Sequence, residues 1–146
     1  MTFHLKLLND GGAAWALRVK DPNNYYLFYL SGRGTMVENY FLTYVVQDGK
    51  VVQTGASFPV IVHLVPGGEY QISIVAKNNQ ISHTIRTDQT KPEFEEEDRG
   101  YERTLGTFMD VDNTYPTGGI GFRTFGSEKF AVRDLYVRPP SVQLPE

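Results

Sequence analysis

The sequence predicts an all-β protein, and three observations carry that prediction. Helical periodicity is nearly absent, because no window of about ten residues places apolar residues at i, i+3, i+4 and i+7 without an interrupting Gly or Pro. Short runs rich in Val, Ile, Thr, Tyr and Phe recur instead, bounded by Gly, Pro, Asn and Asp. These runs follow one another at roughly 8–12-residue spacing, which is typical of an antiparallel sandwich or barrel and not of a parallel sheet.

Alternation of apolar and polar residues predicts the strands of the first half of the chain. The first five predicted strands are residues 2–9, 13–20, 25–31, 38–47 and 50–54. The third strand is apolar on both faces, which indicates either a central strand covered on both sides or a strand with one face along an aromatic groove. Asp48-Gly49 is a typical hairpin turn between the fourth and fifth strands.

The second half continues the same pattern but contains two longer connections. Its predicted strands are residues 59–65, 69–76, 80–87, 104–111, 119–125 and 129–138. The longer connections are 88–103 and 112–118. We therefore predict a single domain over residues 1–138, followed by an extended tail, 139–146, that contains three prolines.

Composition excludes several classes of protein. The chain has 146 residues, is 40% hydrophobic and carries a formal net charge of −3, which suits one domain with a real core and argues against a general nucleic-acid binder. It contains no cysteine, so disulfide scaffolds, Cys-ligated zinc and thiol nucleophiles are excluded. Its apolar runs are far shorter than a membrane-spanning helix needs, and no signal-peptide pattern opens the sequence.

Three stretches of the sequence together resemble the concanavalin A-like lectin/glucanase superfamily. They are Trp15–Leu30, Tyr70–Arg86, and the pair formed by Gly118–Phe125 and Phe130–Val137. More narrowly, they are similar to bacterial jelly-roll domains related to glycoside hydrolases and to LamG-like modules. The resemblance implies an antiparallel two-sheet jelly-roll sandwich of about ten strands, and a periplasmic or extracellular location.

The sequence departs from this family in two places. Family members usually have a further strand before the one that begins at Phe3, and that strand pairs with the C-terminal one. We therefore expect an excised or shortened domain with an unpaired sheet edge, which would favour a homodimer or the addition of a strand. Arg133 stands where relatives tend to carry an apolar residue.

The resemblance does not extend to the catalytic motif of the glucanase branch. That branch carries its acid and nucleophile as Glu-x-Asp-x-x-Glu on one strand, and the motif is absent here. The acidic run Glu93–Asp98 has the pattern of a solvated loop, with a loop that binds a cation or a basic partner as the alternative. We therefore predict a non-catalytic, lectin-like carbohydrate-binding module of a bacterial polysaccharide-processing protein. The alternatives are a glycoside hydrolase with an unrecognised site and a structural or protein-interaction domain without a ligand.

No metal or cofactor is predicted, although one pattern leaves calcium open. Asp110, Asp112 and Asn113 could supply oxygen ligands to Ca²⁺, but a turn closed by side-chain hydrogen bonds is the favoured interpretation. In relatives a calcium ion can lie near the aspartate of the last strand, here Asp134.

An aromatic surplus of 9 Tyr and 9 Phe is the remaining functional signal. Sugar rings stack on aromatic side chains while planar polar groups bond their hydroxyls. If Trp15, Leu17, Leu27 and Tyr29 point to the core, the neighbouring side chains of their strands point to an open face. The candidate ligand-binding residues are Arg18, Tyr26, Tyr44, His83 and Arg123, with a polysaccharide or oligosaccharide as the expected partner. Ordinary packing of the tyrosines, and a core role for His83, are the alternatives.

Overall fold

The computed structural model describes residues 1–35, 37–87 and 102–138, and in these ranges every regular element is a strand. The strands are β1 (Thr2–Leu7), β2 (Gly12–Asp21), β3 (Asn24–Ser31), β4 (Tyr40–Gln47), β5 (Lys50–Thr54), β6 (Phe58–Pro59), β7 (Glu69–Lys77), β8 (Gln80–Thr87), β9 (Glu102–Met109), β10 (Gly119–Arg123) and β11 (Phe130–Tyr136). The acidic run Glu93–Asp98 and the tail 139–146 lie outside the described residues.

The strands form two sheets in which every pairing is antiparallel. One sheet has the order β11-β1-β7-β8-β9, and the other has the order β10-β2-β3-β4-β5, with β6 also paired to β4. The chain changes sheets after β1, β6, β9 and β10, so strands that are distant in sequence become neighbours. This arrangement confirms the prediction of an all-β antiparallel two-sheet sandwich.

One hydrophobic core lies between the sheets, and the alternation of each strand supplies it. Side chains from both sheets meet there, and the largest fully buried ones are Trp15, Tyr26, Tyr70, Phe3, Phe28 and Phe41. Because successive residues of a strand point to opposite faces, the intervening residues lie on the outer faces of the two sheets.

The prediction of a strand over 59–65 is wrong beyond its first residue. The backbone there finds partners outside any ladder: the Tyr70 hydroxyl accepts a hydrogen bond from the Val65 amide (2.9 Å) and donates one to the His63 carbonyl (2.7 Å). Val62 and Leu64 are nevertheless buried in the core. The apolar run therefore reflects burial of an irregular segment, which a short run cannot distinguish from a strand.

The two faces of β3 are the reverse of the expectation. Trp15 pairs directly with Phe28 and Leu17 with Tyr26, so these four side chains share the core face. Leu27 and Tyr29 consequently point outward, although they were expected to point to the core with Trp15 and Leu17. The reason is the hairpin register: the two-residue turn between Asp21 and Asn24 pairs odd-numbered residues of β2 with even-numbered residues of β3, and the irregularity between Leu17 and Asp21 shifts this register by two residues, which keeps the same faces together. Because β3 is apolar on both faces, its own pattern could not reveal which face is buried.

In the described part of the chain, no helix is long and apolar enough to cross a membrane.

Candidate functional site

The outer face of the six-stranded sheet carries a second apolar cluster, separate from the core. Its buried members are Ala14, Ala16, Tyr25, Leu27 and Val46, with Val19, Tyr29 and Tyr44 packed against them. The register places small residues on β2 beside tyrosines on β3 and β4. Because an alanine side chain is much shorter than a tyrosine, this face is low along β2 and raised along β3 and β4.

A groove of about 560 Å³ opens on this face, and we call it the outer-face groove. Tyr29, Leu42 and Tyr44 form its floor. One wall comes from the β3–β4 connection, and the other comes from the segments that follow β1 and β10. The lining residues of these walls are Asp10, Gly11, Arg33, Gly34, Thr35, Val37, Phe125, Gly126, Ser127 and Glu128, together with Ser31. Aromatic rings and charged planar groups therefore meet in one concave site.

The β3–β4 wall is held by short-range hydrogen bonds. The Ser31 hydroxyl donates to the carbonyl of Val37 and lies 2.5 Å from the Thr35 hydroxyl, which also donates to the Gly32 carbonyl at 3.0 Å. The amide of Gly34 donates to a carboxylate oxygen of Glu38 at 2.9 Å. Arg33 therefore lies between residues that are hydrogen-bonded on both sides of it.

The opposite wall depends on Glu128, which is buried although it carries a carboxylate. The amide of Phe125 donates a hydrogen bond to this carboxylate. The Phe125 ring then lies against the Tyr29 ring, with 4.6 Å between the ring centroids. Glu128 thereby fixes an aromatic side chain at the edge of the groove. The same hydrogen bond partly compensates the cost of burying its carboxylate.

Arg123 joins the two sides of this face. Its guanidinium donates a hydrogen bond to the Tyr25 hydroxyl at 2.7 Å and lies 5.0 Å from the centre of the Phe125 ring. The second distance is within the range of a cation–π interaction. Arg123 is therefore a positioning residue for Phe125 and borders the outer-face groove.

Two tyrosine hydroxyls of the groove floor are held in the protonated form. Burial raises the pKa of Tyr29, and the nearby charge of Glu128 raises it further. Burial also raises the pKa of Tyr44. Near neutral pH both hydroxyls can donate as well as accept hydrogen bonds, which suits recognition of ligand hydroxyl groups.

The structure brings two of the five predicted site residues to this face. Tyr44 lines the groove, and Arg123 borders it. Their contact with a ligand stays a prediction.

Arg18 occupies the bulge of β2 and does not line the groove. Its φ of 50° is the left-handed conformation that a bulge requires, and its guanidinium donates to the carbonyl of Tyr115 at 3.3 Å. The expectation that an arginine at this position needs a partner is met by the main chain of the β9–β10 connection. Arg18 therefore has a structural partner within the protein.

Tyr26 lies in the core, and its placement on an open face was wrong. Its hydroxyl donates to Asp110 at 2.5 Å and accepts a hydrogen bond from the amide of Tyr115 at 3.0 Å. Phe28 is buried on the same face because it pairs directly with Trp15. Tyr26 ties the β9–β10 connection to the six-stranded sheet and is not available to a ligand.

His83 is also buried, which confirms the core interpretation and contradicts its placement in a groove. Its Nε2 accepts a hydrogen bond from the indole Nε1 of Trp15 at 2.9 Å, and its ring packs against Phe28 and Phe41. Burial lowers its pKa from 6.5 to about 3. His83 is therefore neutral, with its proton on Nδ1, which has no hydrogen-bond partner in the described part of the chain.

The Asp110 region has the geometry of the predicted turn. The carboxylate of Asp110 accepts hydrogen bonds from the amides of Asp112 (3.1 Å) and Thr114 (2.8 Å) as well as from Tyr26. Burial raises its pKa, but the hydrogen bonds together outweigh that effect, and the pKa is lowered. Asp134 pairs with Arg133 at 2.7 Å on an exposed strand. Within the described ranges, no three His, Asp or Glu side chains cluster as metal ligands would.

Sequence reasoning missed most of the groove. Arg33, Phe125 and Glu128 lie in connections whose side chains meet only after the sheets have formed. Tyr29 was assigned to the wrong face of its strand. The apolar character of both faces of β3 was the one signal that pointed to it, since it left open a face along an aromatic groove.

Fold, topology and groove define the class of structure: a concanavalin A-like jelly-roll sandwich whose outer sheet face carries an aromatic groove. Comparison with solved structures finds the crystal structure of the Dario rerio galectin-1-L2, with a TM-score of 0.59 over 94% of this chain and 90% of that chain. The two sequences are 11% identical, so the likeness is one of fold. No family model matches the sequence, and no curated protein matches it.

Proposed function

We propose that the protein is a non-catalytic, lectin-like module that binds a polysaccharide or oligosaccharide in the outer-face groove. The observation that carries the proposal is the meeting of aromatic rings (Tyr29, Tyr44 and Phe125) with planar charged groups in one concave site. Pyranose rings have apolar C–H faces that pack on aromatic rings, while their hydroxyls need donors and acceptors at the rim. The shared fold with a galectin supports the same conclusion.

In this arrangement the rings of the floor and of Phe125 contact the sugar face. Arg33 donates to hydroxyl oxygens, and Asp10 accepts hydroxyl protons from the opposite wall. We further propose that the module belongs to a bacterial polysaccharide-processing protein related to glycoside hydrolases, as the sequence resemblance implies. Binding by these groups needs no metal, so we expect EDTA to leave the affinity unchanged.

The test is a screen of soluble polysaccharides by affinity electrophoresis, followed by calorimetry on the best ligand. Phe125→Ala removes a ring that is 47% exposed, so it should weaken binding about tenfold, or about 1.4 kcal/mol, without unfolding the protein. Tyr136→Ala is the matched control, because Tyr136 is 64% exposed on the other sheet. Absence of binding by the folded wild-type protein to every polysaccharide, or equal losses in both variants, would contradict the proposal.

A glycoside hydrolase remains the second candidate, because two carboxylates, those of Asp10 and Glu128, line the same groove. Glycosidases use such a pair as acid and as base or nucleophile. The test is release of reducing sugar from the same polysaccharide panel, with Asp10→Asn as the variant that should abolish it. Turnover that this variant removes would replace the binding proposal by the enzymatic one.

A further inference from the structure

Two sheet edges lie side by side on one flank of the sandwich. β10 is the outermost strand of the six-stranded sheet and β11 is the outermost strand of the five-stranded sheet, and the connection 124–129 joins them directly. Between them opens a second groove, of about 640 Å³, which we call the edge groove. Its lining residues are Leu8, Phe122, Arg123, Thr124, Glu128, Lys129, Phe130 and Val132.

Three apolar residues of the edge groove, Phe122, Phe130 and Val132, pack against the core of the sandwich. Phe122 pairs with Trp15 across the sheet and packs edge-on against Phe3, with 5.4 Å between the centroids. Its side chain is nevertheless 38% exposed, and Ile120, two residues earlier, is 37% exposed. Core-facing side chains are therefore open to solvent along the whole of β10, as expected where a further strand could cover them.

Of the two edges, β10 is the one with a regular backbone. In β11 a bulge interrupts the register between Arg133 and Tyr136, where Asp134 has a φ of 54° and pairs with Arg133. Bulges and charged side chains of this kind make it unfavourable for another strand to pair with the edge. In the pairing of β10 with β2 the extra residue is Arg18 of β2, so β10 itself runs without interruption.

The charges around the edge groove favour an acidic occupant. Arg123 and Lys129 line it, whereas the carboxylate of Glu128 is buried and accepts the amide of Phe125. The rim is therefore positive in a chain whose formal net charge is −3. A second copy of the chain would bring the same cations to the interface, so charge complementarity selects a partner of opposite sign.

We propose that the edge of β10, which pairs with no further strand among the described residues, binds an extended acidic peptide of another protein as an additional strand. Main-chain hydrogen bonds continue the six-stranded sheet, an apolar side chain of the peptide covers Phe122 in the edge groove, and its carboxylates lie near Arg123 and Lys129. The two sites adjoin, because Arg123 and Glu128 border both grooves, but the peptide's main-chain contacts lie on the flank of the sandwich and the sugar contacts lie on the outer face of the sheet.

The test uses the full chain and two blocked synthetic peptides of alternating character, Glu-Thr-Val-Thr-Val-Thr-Glu and its counterpart with Lys at both ends. We expect the acidic peptide to bind by fluorescence anisotropy and to slow hydrogen exchange at the amides of 119–123, while the amides of β5, the other edge of the same sheet, stay unchanged. Lys129→Glu should weaken the acidic peptide roughly tenfold and strengthen the basic one. Lys50→Glu, on β5, is the matched control.

Three results would overturn this proposal. The first is no protection of 119–123 by the acidic peptide, and the second is equal binding of the two peptides. The third is a stable dimer in light scattering of the protein alone, with protection at 119–123, because a second copy would then occupy the edge. Polysaccharide binding by the Lys129→Glu variant is measured in parallel, so loss of the peptide and loss of the sugar are separate outcomes.

Discussion

Acid should destabilise this protein through one buried side chain, His83. In the folded state its pKa is about 3, because burial among aromatic rings disfavours the charged imidazolium, while the ordinary value is 6.5. Between these two pH values the unfolded chain binds a proton at this position and the folded chain does not. Stability therefore falls as the pH falls through this window, with a slope of about 1.4 kcal/mol per pH unit from this single group.

The whole window amounts to about 5 kcal/mol, the difference of the two pKa values multiplied by that slope. This is comparable with the total stability of many domains, so we expect His83 to contribute a large part of acid unfolding. The perturbation is His83→Gln, which does not titrate and can still accept the hydrogen bond from the Trp15 indole.

The assay is urea unfolding at pH values from about 7 to about 4, followed by fluorescence of Trp15, the only tryptophan in the chain. The wild-type protein should lose more free energy of unfolding over this range than His83→Gln. Only the wild type has a buried histidine at this position that takes up a proton when the chain unfolds. His4→Gln, at a position on β1 outside the hydrophobic core, serves as the control and should follow the wild type. Parallel curves for wild type and His83→Gln would refute the reasoning.

Three further substitutions test how the fold is held. Tyr26→Phe removes the donor to Asp110 in a buried network, so we expect a loss of about 1–3 kcal/mol in urea unfolding, largest at neutral pH, where the carboxylate is charged. Gly12→Ala places a methyl group 2.0 Å from a backbone carbonyl oxygen at a φ of 120°, so calorimetry should show a strongly lowered Tm or no folded protein. Tyr70→Phe deprives the Val65 amide of its acceptor, and hydrogen exchange at that amide should accelerate.

Strand content and fold class followed from the sequence because alternation and turn chemistry are local. The β4–β5 hairpin, for example, needs only Asp48-Gly49, and both residues have the left-handed φ that such a turn requires. The irregular segment 60–65 was the exception. Its hydrogen bonds depend on Tyr70, a residue in the next strand whose role no local pattern reveals.

The candidate site was far less predictable. The hairpin register pairs Leu17 with Tyr26, which buries Tyr26 in the core and turns Tyr29 to the outer face. A two-residue period states which side chains share a face, but not which face is the core when both are apolar.

The sequence by itself therefore determined the class of structure: a cysteine-free, aromatic-rich antiparallel sandwich with turns at defined places. Only the tertiary structure decided which aromatic side chains are core and which form a groove. The physical reason is that the groove residues come from distant parts of the chain: Arg33 and Tyr44 from the β3–β4 region, and Phe125 from the connection after β10. The pairing of β10 with β2 and of β11 with β1 brings those segments together. The local sequence of a single segment does not specify such a long-range pairing.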